Sequence, residues 1–240
     1  MTLNDIDPAE LAKMKGDSGQ QDPCEPLPEC WQDMPEEWLT RHNRFGARSR
    51  QGGVRVLFIG DSITEGWSSP DNADPWNRHF ADLPSANYGI GGDRTQQLLW
   101  RIDHGTLDGI NPEVVVLLIG VNNLWAMHHT PDAVTEGIKA VVARIKRKVP
   151  QAKILLQGIL PTGELPNNPL RTIIIEINQN LMKLDNGEDL RFYDFGPMFL
   201  EPDGKILPST MPDFCHLTSE SYVKWADALA GPINELMAKP

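Results

Sequence analysis

The 240-residue chain predicts an α/β fold: a three-layer α/β/α sandwich around a central, mostly parallel five-stranded sheet. From Val54 onward, short apolar runs alternate with longer amphipathic segments. One run, "VVVLLIG" from Val114 to Gly120, is apolar on both faces, as a strand covered by helices on each side must be. Between strands, Val134, Ile138, Val141, Val142 and Ile145 recur at helical spacing.

Residues 1–33 are rich in Pro, Gly, Asp and Gln without a hydrophobic period, and are expected as an arm, poorly ordered or packed along the surface. Residues 34–240 then form one domain. Its first helix is "PEEWLTRHNRFGAR", with Pro35 and two acids at the start and basic residues towards the end. Trp38, His42 and Phe45 share one face of it, which docks on the main domain. The first strand, Val54–Ile59, runs into Gly60-Asp61-Ser62, where Ser62 opens a short helix. Further strands are expected at Ala86–Tyr88, Val114–Ile119, Ile154–Gln157 and Arg191–Tyr193. The helices between and after them are expected at Arg94–Asp103, Pro131–Lys148, Pro169–Leu184 and Ser219–Met237. In a sheet of this kind, ligands bind at the carboxyl ends of the strands, where the loops converge.

Composition narrows the function. Acidic residues outnumber basic ones 33 to 22, a formal charge of −11. That balance argues against a nucleic-acid surface and offers little attraction to an anionic membrane. No apolar run approaches the roughly 18 residues of a spanning helix. The N-terminus lacks the basic start and apolar centre of a signal peptide. The compartment therefore stays open: cytoplasmic, or secreted or periplasmic if a leader has been removed. Cys24, Cys30 and Cys215, an odd count with no CxxC pair, argue against a disulfide framework or a zinc site. Cys24 and Cys30 could pair locally in an oxidising compartment, but two free thiols in a loose segment are the plainer expectation.

Four loops carry candidate chemistry: Gly60-Asp61-Ser62; "NYGIGGDRT", where Gly89, Gly91 and Gly92 let backbone approach a ligand; "GVNN", Gly120 to Asn123; and "PDFCHLT", with Asp213 three residues before His216. Taken singly, each residue has a plainer reading. Ser62 is a favoured helix cap, Asn122 an Asx-turn residue, His216 a core histidine and Asp213 a turn residue after Pro212. Their conjunction, each in its loop and in order along the chain, is what favours catalysis.

In this order the blocks resemble the SGNH (GDSL-type) hydrolase superfamily, named for Ser, Gly, Asn and His in separated motifs. Within it, "NYGIGGDRTQQLLWRIDHGTLDGINPEVVVLLIGVNN", "ILPTGELPNNPLR" and "DFCHLT" are similar to the catalytic subunits of platelet-activating factor acetylhydrolase IB, and a branch of bacterial carbohydrate esterases shares several features. The resemblance runs from about Val54 to Leu236 and implies a flavodoxin-like sheet. It implies Ser62 as nucleophile, His216 as general base and then acid, and Asp213 as the group that orients His216. An oxyanion hole would combine the N–H groups of Ser62 and Gly92 with the side-chain amide of Asn122. The implied reaction is a metal-independent esterase reaction without a cofactor. It would remove short acyl groups, acetyl above all, from a carbohydrate or lipid alcohol. A homodimer is implied as well. A non-catalytic SGNH-fold binding or partner subunit is the rival reading, opposed by the competent residue at every catalytic position.

Asn123 stands where many superfamily members carry Asp, so altered loop bonding is expected there. Cys215 is expected to pack rather than react. Asp61 and Trp125 are the candidate substrate contacts, with Trp125 as a pocket wall; Trp67 and Trp76 are expected to pack in the core or at the domain edge. "GIGGDR" fails as a dinucleotide loop because Arg94 stands at the third Gly position, and neither GxxxxGK[ST] nor GxSxG occurs. His128 and His129, outside any HExxH context, are read as surface residues.

Overall fold

The computed structural model describes residues 2, 5–6, 22–27, 35–127 and 129–238. Five strands form one sheet in the order β2-β1-β3-β4-β5: β1 Val56–Gly60, β2 Ser85–Gly89, β3 Val114–Leu118, β4 Lys153–Gln157 and β5 Leu190–Tyr193. Every pairing is parallel, with Gly60 level with both Gly89 and Leu118 at the carboxyl ends. Both faces of β1 and β3 are buried throughout, which explains their unbroken apolar runs.

Helix α1 spans Pro35–Arg50, α2 Ser62–Glu65, α3 Ala73–Phe80, α4 Thr95–Arg101 and α5 Val121–Met127. The longer α6 (Pro131–Lys148), α7 (Pro169–Met182) and α8 (Ser219–Ala238) complete the order. α4, α6 and α7 pack side by side in one layer, and α3 packs against α8 in the other. Among the described residues, no helix is long and apolar enough to cross a membrane.

Three departures from the sequence expectation have local causes. α3 was not expected, since "ADPWNRHF" is polar and holds a proline; Pro75 and Phe80 are nevertheless buried. "VNNLWAM" forms a helix rather than a loop, because Gly120 at φ 125° turns the chain out of β3. α4 ends earlier than expected, at Arg101, and opens into a wide turn over Ile102–Thr106 where Gly105 takes φ 99°.

α1 docks as its apolar face requires. Trp38 and His42 are buried, Trp38 stacks on His42, and both rings meet Trp100. Burial, reinforced by Arg101 and His104, pushes His42 down to about 3, so the ring packs neutral. From the arm, Ile6 joins this cluster, and Leu27 is buried with its N–H donating to Gln96 O at 3.2 Å. A Cys24–Cys30 pairing lies outside the described residues.

The tightest packing lies where α2 crosses the strand ends. A Cβ on Gly60 would stand 2.0 Å from Leu118 O, and one on Gly89 would stand 2.2 Å from Glu65 N. Tyr222 of α8 donates to Ile63 O at 2.6 Å, and Gly66 leaves room for that phenol. Asp61 caps α2, its Oδ1 accepting from Ile63 N at 3.0 Å. Its carboxyl is wholly buried, and burial, with Asp93 nearby, pushes it up to about 7 against the opposing bond from Ile63.

Two outcomes follow from this packing. Gly89→Ala forces backbone apart and should lower stability by about 2–3 kcal/mol or prevent folding, read by urea unfolding. For Asp61 the folded pKa lies above the ordinary value, so between about pH 4 and 7 the unfolded chain loses a proton that the folded one keeps. Stability should therefore fall as pH rises through that window. Asp61→Asn retains the cap acceptor and should flatten the fall; unfolding curves at pH 5 and pH 8 with an unchanged difference would contradict this.

Candidate active site

β1 delivers the chain to Ser62, the first residue of α2, at the carboxyl edge of the sheet. Ser62 Oγ lies 2.8 Å from His216 Nε2. On the far side of the ring, His216 Nδ1 lies 2.6 Å from Asp213 Oδ2. With Nδ1 donating its proton to the carboxylate, Nε2 is left as the acceptor for the Ser62 hydroxyl. Asp213 Oδ1 accepts the backbone N–H groups of His216 at 2.7 Å and Cys215 at 3.1 Å. Partial burial pushes the Asp213 carboxyl up, but the bonds from His216 and these N–H groups together hold it below its usual range.

The loop carrying Asp213 and His216 is far from any strand in sequence and is fixed by its neighbours. Phe214 sits at φ 60°, an uncommon conformation for a side chain of its size. Its carbonyl accepts Gly163 N–H at 2.8 Å and the Thr162 hydroxyl at 2.9 Å. Arg171 of α7 in turn donates to Thr162 O at 2.8 Å and Gly163 O at 2.9 Å. Sequence reasoning missed these supporting residues, although "PTG" and the following Arg171 lie inside a stretch that carried the resemblance.

Opposite the histidine, Gly91 approaches closely: a Cβ on it would be 3.6 Å from Ser62 Cβ and 3.0 Å from Glu65 Oε2. Gly91 N–H donates to Glu65 Oε2 at 2.5 Å, and Gly92 takes φ 79°. Asn122, on the first turn of α5, donates from Nδ2 to Asp93 O at 2.9 Å, which ties it to the same glycine loop. Asn123 is buried and braces α4: Oδ1 accepts Thr95 N–H at 3.1 Å, and Nδ2 donates to Thr95 Oγ1 and Gln96 Oε1, both at 3.0 Å. An aspartate could not donate these last two bonds, so the altered loop bonding has a concrete form. Beneath the loop, wholly buried Arg101 meets Asp93 Oδ2 at 2.5 Å and donates to Tyr88 O at 2.9 Å and Gly60 O at 3.2 Å.

Other candidates fall elsewhere. Asp61, expected as a substrate contact, is fully buried and turned into the cap of α2. Trp125 projects from α5 with 49% of its surface exposed. Trp67 is buried among Phe58, Phe80, Tyr222 and Trp225, and half-buried Trp76 packs beside it. Cys215 packs against the core, and burial, with Asp61 and Asp213 adding to it, pushes its thiol up to about 12. Such a thiol stays protonated at neutral pH and is a poor nucleophile. His129 is half-buried, its Nδ1 facing Asn123 Nδ2 at 3.4 Å, rather than on the surface; His128 lies outside the described residues.

A hydroxyl, an imidazole and a carboxylate in series, opposite a glycine loop and an amide, can draw a proton from the hydroxyl as it attacks a carbonyl. The family model of GDSL-like lipases and acylhydrolases matches residues 58–224. The human platelet-activating factor acetylhydrolase IB subunit alpha1 is 36% identical over 92% of this chain and 94% of its own length. The alpha2 subunit from Rattus norvegicus is likewise 36% identical, over 88% of this chain and 89% of that protein. Among solved structures, an acetyl xylan esterase is 25% identical with a TM-score of 0.61, covering 75% of this chain and 99% of that one. A GDSL-like lipase from Bacteroides thetaiotaomicron shares the fold at 21% identity and a TM-score of 0.65, over 81% of this chain and 97% of that one. A catalytic triad and an oxyanion hole are characteristic of these hydrolases. The chain belongs to the GDSL-like lipase/acylhydrolase family and is an ester hydrolase.

Proposed function

We propose that the chain removes short acyl groups, acetyl foremost, from an alcohol by way of an acyl-Ser62 intermediate. The observation that carries this reading is the continuous hydrogen-bonded series from Ser62 Oγ through His216 to Asp213, at 2.8 and 2.6 Å. Ser62 Oγ attacks the ester carbonyl while His216 Nε2 takes its proton, and Asp213 stabilises the imidazolium. Negative charge on the carbonyl oxygen meets the N–H groups of Ser62 and Gly92 and the second N–H of Asn122, the first being held by Asp93 O. Ser62 opens α2, so its N–H lacks an intrahelical partner and remains available. His216 then returns the proton to the departing alcohol, and water, deprotonated by the same ring, releases the acid.

Two of the relatives' names agree on the acyl group and differ on the alcohol. Platelet-activating factor acetylhydrolase and acetyl xylan esterase both name an acetyl ester. The acetylated lipid is supported by 36% identity over nearly the whole chain. The acetylated carbohydrate is supported by exposed Trp125, whose ring could stack on a sugar, although buried Trp67 lends it nothing.

One panel tests the reading. With p-nitrophenyl esters of increasing chain length, acetyl should turn over fastest. Ser62→Ala should lose at least about 1000-fold in kcat, whereas Cys215→Ala should retain activity. Undiminished hydrolysis by Ser62→Ala would sink the assignment. Acetate released from an acetyl-glycerophospholipid but not from acetylated xylan selects the lipid; the reverse selects the sugar.

A further inference from the structure

Helix α1 lies ahead of the residues that the family model covers, 58–224, yet one of its side chains reaches the loop that holds Gly92 and a second reaches Glu65, which holds Gly91 of that loop. Trp38 Nε1 donates to Asp93 Oδ1 at 2.7 Å, with both residues buried. Arg41, one turn further on, pairs with Glu65, whose other carboxylate oxygen accepts the Gly91 N–H at 2.5 Å. The residues before and after Gly92 are thus both held, directly or through Glu65, by α1.

Gly92 has no side chain of its own to fix it and takes φ 79°, a conformation open to glycine over a wide basin. The direction of its N–H is therefore set by its neighbours. Asp93 is the better anchored of the two. Besides Trp38, it meets Arg101 at 2.5 Å, accepts Asn122 Nδ2 on its carbonyl at 2.9 Å and donates its own N–H to Ile90 O at 3.2 Å. Gly91 rests on Glu65, and Glu65 lies between the two anchors that Arg41 and Gly91 provide.

We propose that α1 is a positioning element of the reaction, in which Trp38 and Arg41 set the orientation of the Gly92 N–H through Asp93 and through Glu65–Gly91. This rests on the reading of Gly92 as an oxyanion donor. The indole N–H is separable from the packing of its ring: Trp38 stacks on His42 and Trp100 through its carbon faces, and these contacts do not require the N–H. Small misplacement of an oxyanion donor costs rate rather than substrate binding, because the oxygen gains its charge only in the transition state.

The test uses Trp38→Phe, Arg41→Gln and their double variant. Trp225→Phe serves as control, since it loses another buried indole bond, to Gln157 Oε1 at 2.9 Å. On p-nitrophenyl acetate, kcat should fall by about tenfold to a hundredfold in the Trp38 and double variants with KM little changed. Capture by a serine-directed phosphonate, which also builds an anion at the site, should slow in parallel. Arg41→Lys should recover most of the Arg41→Gln loss, and Trp225→Phe should lose thermal stability while keeping its kcat. The proposal is overturned if Trp38→Phe keeps wild-type kcat, if only its KM moves, or if Trp225→Phe loses as much kcat as it does. Ser62→Ala run alongside separates the two levels: an inactive Ser62→Ala with a fully active Trp38→Phe removes only the role of α1, whereas an active Ser62→Ala removes the catalytic reading itself.

Discussion

Buried beneath the strand ends, the Arg101 guanidinium joins the carbonyls of Gly60 and Tyr88 to the carboxylate of Asp93. Gly60 is the last residue of β1, two before Ser62; Tyr88 lies at the end of β2; Asp93 follows Gly92. One planar group thus fixes the separation of two strand ends and of the glycine loop. A buried pair of this kind gives little net stability, because desolvation of both charges offsets their attraction. Removing one partner is another matter: the stranded charge typically costs ~3–5 kcal/mol. The pair is better understood as a constraint on geometry than as a source of stability.

The remaining contacts at the sheet edge take their positions from that constraint. With β1 and β2 held level, α2 can lie across them only where Gly60 and Gly89 leave out a Cβ. α2 in turn presents Ser62, and the α8 phenol of Tyr222 holds its backbone at Ile63. The histidine arrives by a separate route, on a loop pinned through Phe214 to Thr162, Gly163 and Arg171. The two assemblies meet at the 2.8 Å contact between Ser62 and His216. Sub-ångström placement of that contact therefore depends on residues from both layers of helices.

How much of this could be read from the sequence depends on the kind of signal. Strands with both faces buried announced themselves as apolar runs, and α6 through its period, with bounds that match the expectation. α3 was hidden because tertiary burial, not local propensity, makes a helix of "ADPWNRHF", and α5 because its start depends on the backbone turn at Gly120. At the site, Ser62, Gly92, Asn122, Asp213 and His216 were legible as motifs, and the fold gathers them at one edge of the sheet. Adjacency to Ser62 in sequence says nothing about side-chain direction: at Asp61, one residue earlier, the carboxylate turns inward to cap the helix. Arg101 and Phe214 left no sequence signal, and Trp38 was legible only as part of a docking face, since its bond to Asp93, the reach of Arg101 and the angle at Phe214 depend on long-range contacts or on a single backbone conformation.

The central claim is that the Ser62 hydroxyl, rather than the nearby Cys215 thiol or a free water, makes the first bond to the ester carbonyl. Trapping the intermediate tests it most directly: acid-quench the protein milliseconds after mixing with p-nitrophenyl acetate, digest it, and locate the acetyl group by mass spectrometry. The account predicts acetyl on the peptide at Ser62, formed and lost at rates consistent with turnover. Acetyl on Cys215, or full turnover with no acetylated peptide under conditions that trap an acyl-enzyme, would contradict it.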